Sequence, residues 1–322
     1  MKAIVYRCYG SPDVLTFEDI EKPAPADEQV LVKVHAAAVN PYDWHHMRGS
    51  PYLMRLGIGL GTPKDIRLGS DFAGTVVEVG TSVTEFQPGD EVFGGAAGAY
   101  AEYAVANTRS IARKPASVSF EEAASLPIAA ITALQALRDH GQLQAGQRVL
   151  INGASGGVGT YAVQIAKSMG AEVHGVCSTR NVEMVRGLGA DNVFDYKKED
   201  YTQSGQQFDL IVDMVGNHSL SANRGVLTPQ GRYVIVGGAK GNWIAPLIGP
   251  LKAMMYSPFV DQHMGMMIAT MDGADLAELA ALMERGELAS KIDRRYRLGE
   301  TADAIRYSEE GRARGKIIID LE

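Results

Sequence analysis

The chain has 322 residues, more than one ordinary hydrophobic core serves, and its length suits two domains. With 46% hydrophobic and 21% charged residues it belongs with soluble globular proteins, which excludes a disordered chain. A net charge of −7 gives nucleic acid or an anionic membrane no electrostatic hold. Two cysteines, Cys8 and Cys177, are too few for a disulfide framework or a Cys-rich zinc site.

Met1-Lys2 leads into a short run, residues 3–6, followed by Arg7, a strand signal over 2–6 without the apolar core of a secretory leader. Further strands are predicted at 15–20, 29–39, 72–79, 91–94 and 100–104, separated by turn signals such as Tyr9-Gly-Ser-Pro12 and Gln87-Pro-Gly-Asp90. Regularly spaced short strands with few helices predict an antiparallel, barrel-like domain. Residues 41–69 read as a long irregular connection, either a functional lid or a surface excursion.

The pattern changes at Ser119-Phe-Glu-Glu122, a capping box that opens a helical run to about His140. Strands at 149–151, 172–177, 192–194, 208–212, 232–236 and 264–268 then follow, with helices at 160–169, 182–188 and 220–227 between them. This alternation predicts a doubly wound parallel sheet. Residues 243–260 are apolar but broken by Pro246, Pro250, Lys252 and Pro258, so they cannot span a bilayer. The expectation is a cytoplasmic protein with no membrane partner. Past residue 270, helices at 274–285 and 300–310 precede a terminal strand, 316–321, which is most simply placed back in the N-terminal domain.

The segment Arg148-Val-Leu-Ile-Asn-Gly-Ala-Ser-Gly-Gly-Val-Gly159 puts four glycines in seven residues between a strand and a helix. Measured against G-x-G-x-x-G its first glycine is alanine (Ala154), but the strand–loop–helix–strand context supports a dinucleotide pyrophosphate site. An NAD site wants a carboxylate at the end of the next strand. The chain has Cys177-Ser-Thr-Arg-Asn181 there. Ser178 is a hydrogen-bond donor and Arg180 a fixed charge, which predicts NADP(H). A solvated charge at a helix start is the other reading of Arg180.

Taken together the residues resemble the medium-chain dehydrogenase/reductase superfamily, and within it the zinc-independent, quinone-oxidoreductase-like (zeta-crystallin-like) branch. The resemblance runs along the whole chain through Met1-Lys-Ala-Ile-Val, Ala38-Val-Asn-Pro-Tyr-Asp43, Gly69-Ser-Asp-Phe-Ala-Gly74 and Pro88-Gly-Asp-Glu-Val-Phe-Gly94. The glycine loop, Leu188-Gly-Ala-Asp-Asn-Val-Phe-Asp-Tyr196 and Gly315-Lys-Ile-Ile-Ile319 complete it. It implies an α/β protein: a GroES-like β-barrel catalytic domain (1–123 and 269–322) with a Rossmann doubly wound parallel sheet (124–268) inserted between its parts.

In zinc-dependent relatives a Cys stands at Asn40 and a His-Glu pair at Ser70-Asp71, and residues 93–113 hold no cysteine for a structural zinc. The resemblance therefore implies a metal-free site. The adjacent His45 and His46 read as solvated loop residues. Carried over position by position, Ser155, Gly156, Gly157, Val158 and Gly159 line the pyrophosphate. Ser178, Arg180 and Tyr196 match the adenosine 2′-phosphate region, and Val215, Gly216, Val236, Gly237 and Gly238 border the ribose and nicotinamide. Asn40 and Thr132 face the nicotinamide; an ordinary helix hydroxyl is the other reading of Thr132. Asp43 fits the family motif, and orienting the loop is its other reading.

The chemistry implied is hydride transfer to a quinone or an α,β-unsaturated carbonyl, in a homodimer. Tyr42 is the candidate proton donor, with solvent or the ribose hydroxyl as the alternative source and plain packing as the other reading of Tyr42. Residues 41–69 and the Met-rich 243–267 are candidates to frame the substrate pocket, with Met254, Met255, Met264, Met266 and Met267 as a wall for a hydrophobic substrate or a subunit contact and core packing equally open. A metal-free carbonyl reductase or alcohol dehydrogenase and a non-enzymatic NADPH-binding protein are the alternative functions.

Overall fold

The structure, a computed structural model, describes residues 1–237 and 261–321. Its contacts divide the chain into two units, Met1–Ile131 with Met271–Glu322, and Thr132–Thr270.

In the first unit β1 (Lys2–Val5) pairs antiparallel with β2 (Thr16–Asp19). The strand β3 (Gln29–Val39) is the spine of the larger sheet. Val30, Val32 and Val34 alternate into the core, as a half-buried strand requires. An irregularity between Val34 and Ala36 then shifts the phase, so that Ala37 and Val39 join the same cluster. After β3 come α1 (Pro41–Arg48) and α2 (Arg55–Ile58), then β4 (Asp71–Val79), β5 (Glu91–Gly95), β6 (Tyr103–Asn107) and β7 (Ile111–Arg113).

The stretch 41–69 is thus partly helical, which corrects the expected irregular loop. Its start signal was present: Asp43 accepts the Asn40 N–H at 2.8 Å, Pro41 sits in the first turn, and Gly49 closes the helix at φ +57°.

Next in the chain are α3 (Phe120–Ala124) and α4 (Pro127–Gln135), and the division between units falls within α4. The sequence reading put that boundary after residue 123. In the structure Phe120 stacks on His35 of β3 with ring centroids 4.3 Å apart, and Ser125 bonds Ser290, so these residues belong to the first unit.

The second unit contains β8 (Arg148–Asn152), α5 (Gly157–Ser168), β9 (Glu172–Cys177), α6 (Val182–Gly187), β10 (Asn192–Asp195), β11 (Phe208–Asp213), α7 (Leu220–Gly225), β12 (Leu227–Ile235) and β13 (His263–Met266). They form a parallel sheet in the order β10-β9-β8-β11-β12-β13. Its central strand Val149-Leu150-Ile151 is wholly buried, as a strand covered on both faces must be. That order reverses between β8 and β11, where an open α/β sheet leaves a crevice at the carboxyl ends of its strands. This is the Rossmann arrangement expected from the sequence.

The chain then returns to the first unit with α8 (Gly273–Glu284), β14 (Ile292–Arg297), α9 (Thr301–Glu309) and β15 (Lys316–Asp320). The first unit's sheet runs β14-β15-β3-β4-β5-β7, with β6 also paired to β3. β15 lies antiparallel to β3, Ile317 opposite Val39, so the terminal strand does close the N-terminal sheet. β7 and β14 were not predicted. Met264 and Met267 are buried, which for these two favours the packing reading, and Met266 is exposed. Met254, Met255 and the rest of 243–260 lie outside the described residues.

Candidate functional site

In the second unit the chain leaves β8 through Gly153 at φ +96°, a conformation that favours glycine. A Cβ on Gly159 would lie 2.1 Å from the Gly153 carbonyl oxygen and 2.7 Å from the Ala154 Cα. Gly159 is therefore what lets α5 pack onto its own loop. A Cβ on Gly156 meets only the Gly153 oxygen, at 3.5 Å, so the backbone there stands open. Ser155, Gly156, Gly157 and Val158 are half-buried around that opening. The first N–H groups of α5 have no partner within the helix, and an anion is the usual occupant of such a position. The cradle fits a dinucleotide pyrophosphate.

Beyond β9, Ser178 precedes a 3-10 turn, Thr179–Asn181, on which Arg180 is exposed. Asn181 donates through Nδ2 to the Ser155 hydroxyl at 3.0 Å and to the Ser178 hydroxyl at 3.3 Å. The structure thus brings Ser155 and Ser178 together through a residue that the sequence reading passed over. Tyr196 follows β10 with its ring exposed and its N–H donated to the Cys177 carbonyl at 3.1 Å.

A carboxylate does stand at this edge, from the neighbouring strand: Asp195 pairs with Cys177 in register. A hydrogen bond from Thr179, the Lys197 N–H and Lys198 hold its carboxyl below the usual range. Its Oδ1 accepts the Lys197 N–H at 3.1 Å, and its buried Oδ2 lies 3.4 Å from Lys198 Nζ with no hydrogen-bond partner among the described residues.

Three strand ends meet at Asp213, which is wholly buried. Its Oδ1 accepts from Asn152 Nδ2 at 2.8 Å and from the N–H groups of Val215 and Gly216 at 2.9 Å. Its Oδ2 accepts the Tyr233 hydroxyl at 2.7 Å. Its carbonyl takes the N–H groups of Val236, at 2.9 Å, and Gly237, at 3.1 Å. The residues read as bordering ribose and nicotinamide are therefore organised by one residue at the switch point, Val215 and Gly216 through its carboxylate and Val236 and Gly237 through its main-chain carbonyl. Gly238 lies outside the described residues.

The first unit holds a buried polar cluster. The Asn40 amide donates to Asp71 Oδ2 at 2.8 Å, and its oxygen accepts from Lys316 Nζ at 2.6 Å. Lys316 Nζ also lies 3.7 Å from Asp71 Oδ2, and the Ile128 N–H reaches both Asp71 oxygens at 3.2 Å. Asp43 accepts Ser70 Oγ at 2.9 Å and the Tyr100 hydroxyl at 2.7 Å. The side chains of Asn40, Asp43, Ser70, Asp71, Tyr100 and Lys316 are all buried. Burial pushes Asp71 up to about 7 and raises Asp43, while it lowers Lys316.

These residues do not fit a zinc ion. The positions that hold Cys and His-Glu in zinc-dependent relatives carry Asn40, Ser70 and Asp71, and an ammonium already lies against the Asn40 and Asp71 oxygens. Lys316 and Tyr100 were missed by the sequence reading, although Lys316 stands in the quoted Gly315-Lys-Ile-Ile-Ile319 motif.

Tyr42 is half-exposed on α1 with its ring 3.9 Å from that of His46, and burial first and then Asp43 raise its phenol. His45 and His46 sit on this helix, which corrects the loop assignment. His45 Nδ1 bonds the Ser50 carbonyl at 2.6 Å and His46 Nδ1 the Tyr42 carbonyl at 2.9 Å. Thr132 is buried on α4 in the second unit. Among the described residues no group of three or more His, Cys, Asp or Glu side chains is placed to hold a metal ion, and no helix is long and apolar enough to cross a membrane.

Comparison with known proteins bears on both units. Residues 26–116 match the family model described as alcohol dehydrogenase GroES-like domain, and residues 188–319 the one described as zinc-binding dehydrogenase. The chain is 32% identical to the chloroplast envelope quinone oxidoreductase homolog of Arabidopsis thaliana, over 99% of this chain and 98% of that protein. It is 33% identical to the mitochondrial NAD(P)H oxidoreductase RTN4IP1 of Mus musculus, over 100% of this chain and 89% of that protein. Among solved structures, the quinone oxidoreductase from Coxiella burnetii superposes with a TM-score of 0.88 at 31% identity, covering 100% of this chain and 99% of that one. With Asn40, Ser70 and Asp71 at the ligand positions of its zinc-dependent relatives, the chain belongs to the zinc-independent, quinone-oxidoreductase-like branch of the medium-chain dehydrogenase/reductase superfamily.

Proposed function

We propose that this protein is an NADPH-dependent reductase that passes hydride to a quinone or an α,β-unsaturated carbonyl without a metal ion. The observation that carries this reading is the Asn40–Lys316–Asp71 network at the positions of a metal's ligands. A site without a Lewis acid needs a substrate that accepts charge by itself, and conjugation supplies that property. The chemistry the cofactor brings when bound is hydride donation from C4 of its nicotinamide. The open backbone at Gly156 and the N–H groups of α5 hold the pyrophosphate, and Ser178 and Arg180 hold the adenosine 2′-phosphate.

The deciding experiment is NADPH oxidation against quinones, enones, enals and saturated aldehydes, with product analysis. Consumption of the conjugated acceptors alone supports the proposal. Turnover of saturated aldehydes would favour a metal-free carbonyl reductase or alcohol dehydrogenase. Tight NADPH binding with no acceptor reduced would favour a non-enzymatic NADPH-binding protein. Homodimerisation remains the expectation from the resemblance, and sedimentation velocity measures it.

Two substitutions refine the assignment. Ser178→Ala combined with Arg180→Ser removes a donor and a charge from the 2′-phosphate, so the Kd for NADPH rises by about 10- to 100-fold. The Kd for NADH is expected to stay within a factor of about two, since uncharged ribose never used that charge; equal losses for both cofactors would remove the assignment.

Tyr42→Phe tests the proton donor. Its raised phenol stays protonated at neutral pH, so the substitution should slow enone turnover by about 10²-fold while leaving NADPH affinity alone. Unchanged turnover would assign the proton to solvent.

A further inference from the structure

Asn181 occupies a position whose ordinary use it declines. It is the N-cap residue of α6, where an asparagine normally accepts a helix N–H through its side-chain oxygen. Here that oxygen makes no capping bond, and among the described residues it has no hydrogen-bond partner although the side chain is only 4% exposed. The amide nitrogen instead reaches to Ser155 on the glycine loop and Ser178 at the end of β9, at 3.0 and 3.3 Å. Helix stability does not explain a buried cap that leaves its acceptor unused.

Those two bonds fix the polarity of the serines. A hydroxyl has one proton to give and lone pairs to receive with. Ser155 and Ser178 both receive from Asn181, which leaves each hydroxyl proton to be donated elsewhere. Both serines are half-buried, and among the described residues neither has another side-chain partner. The opposite amide orientation would bury two idle N–H groups and turn both serine protons inward, leaving only lone pairs toward a ligand.

We propose that Asn181 is a specificity-determining residue: by receiving nothing and donating twice, it makes Ser155 and Ser178 a pair of outward donors for a phosphate monoester, the 2′-phosphate of NADP(H), which moves Ser155 from the pyrophosphate, where the resemblance put it, to that group. This rests on the NADP reading given above and supplies its selectivity. A ribose hydroxyl both gives and accepts, so it gains little from a donor-only pair. A phosphate monoester dianion only accepts, and each charge-assisted bond to it is strong.

The test is calorimetric binding of NADP+, NAD+, 2′,5′-ADP and 5′-AMP to the full chain. The wild type is expected to bind 2′,5′-ADP more tightly than 5′-AMP; equal affinities overturn both the NADP reading and this inference. Asn181→Leu keeps the volume without donors, and Asn181→Ser caps α6 but is too short to reach both serines. With each variant the Kd for 2′,5′-ADP should rise about tenfold or more, while those for NAD+ and 5′-AMP stay within about twofold and the melting temperature holds. Wild-type preference for 2′,5′-ADP retained in a folded variant would overturn the role of Asn181 and leave the NADP reading standing. An equal loss for all four ligands would make Asn181 a structural residue of the loop.

Discussion

Lys316→Met is expected to lower the stability of the first unit by about 3–5 kcal/mol, the usual consequence of removing one partner from a buried charge pair. Lys316 is 2% exposed and Asp71 is 0% exposed, so water cannot replace the lost ammonium. Asn40 would lose the donor to its oxygen, and Asp71 would keep only the Asn40 amide and the Ile128 N–H. Methionine fills the volume, so the deficit reports charge and hydrogen bonding more than a cavity.

The pH dependence has a definite sign. Burial raises Asp71 to about 7 in the fold, above the unfolded carboxyl value of about 3.9. Its favourable proton linkage is complete below about pH 4 and is lost as pH rises through about 7. Without Lys316 that carboxyl rises further. The variant then goes on losing stability above pH 7, where the wild type has already released its proton. The deficit should be level below about pH 6 and grow from pH 7 to 8.5, the Asp71 proton contributing at most about 1.4 kcal/mol per pH unit. Burial also lowers Lys316, and its own titration works in the same direction. Urea midpoints across that range measure this, and a deficit that shrinks as pH rises would exclude an ammonium–carboxylate pair.

That cluster also marks where sequence reasoning stopped. β9 was legible residue for residue, because a short buried strand is bounded by Gly170 on one side and a polar turn on the other. The glycine loop was legible because its constraint is local: a strand, a tight turn and a helix within a dozen residues. β14 was not, since Ile-Asp-Arg-Arg-Tyr-Arg has the composition of an exposed segment and holds its place by pairing with β15 at the sheet edge. The helix α1 is hidden in the sequence by the five glycines of 41–69, which outnumber its one start signal, Asn40-Pro-x-Asp43.

Lys316 is 276 positions from the amide it bonds, and a lysine in an apolar strand carries no local sign of a buried partner. Asp213 is similar, an acid at a strand end whose role as a tie among β8, β11 and β12 depends on sheet order. Residue types at a site were readable where the backbone alone sets their place. Those set by long-range pairing were not.

Two glycines of the same loop should fail for different reasons, and the contrast separates folding from binding. Gly159→Ala puts a methyl group 2.1 Å from the Gly153 carbonyl oxygen and 2.7 Å from the Ala154 Cα. Both obstacles are backbone, so no rotamer change relieves the clash and α5 must move off the loop. Overpacking ordinarily costs about 1–3 kcal/mol, and a contact with rigid backbone belongs at or above the upper end. The variant should melt lower and bind no NADPH detectably, because the N–H groups of α5 lose their aim.

Gly156→Ala meets only one atom, at 3.5 Å, and its φ of −86° is open to any residue. Its melting temperature should match the wild type within about a degree, given how little an unstrained surface substitution changes stability. The methyl group nonetheless occupies the space through which a pyrophosphate must approach the backbone, so NADPH and NADH affinity should both fall by about 10- to 100-fold. The loss being shared distinguishes it from the Ser178/Arg180 effect, which falls on NADPH alone. If Gly156→Ala bound both cofactors normally while Gly159→Ala remained folded, the loop would be an ordinary structural turn, and the dinucleotide would have to lie elsewhere in the chain.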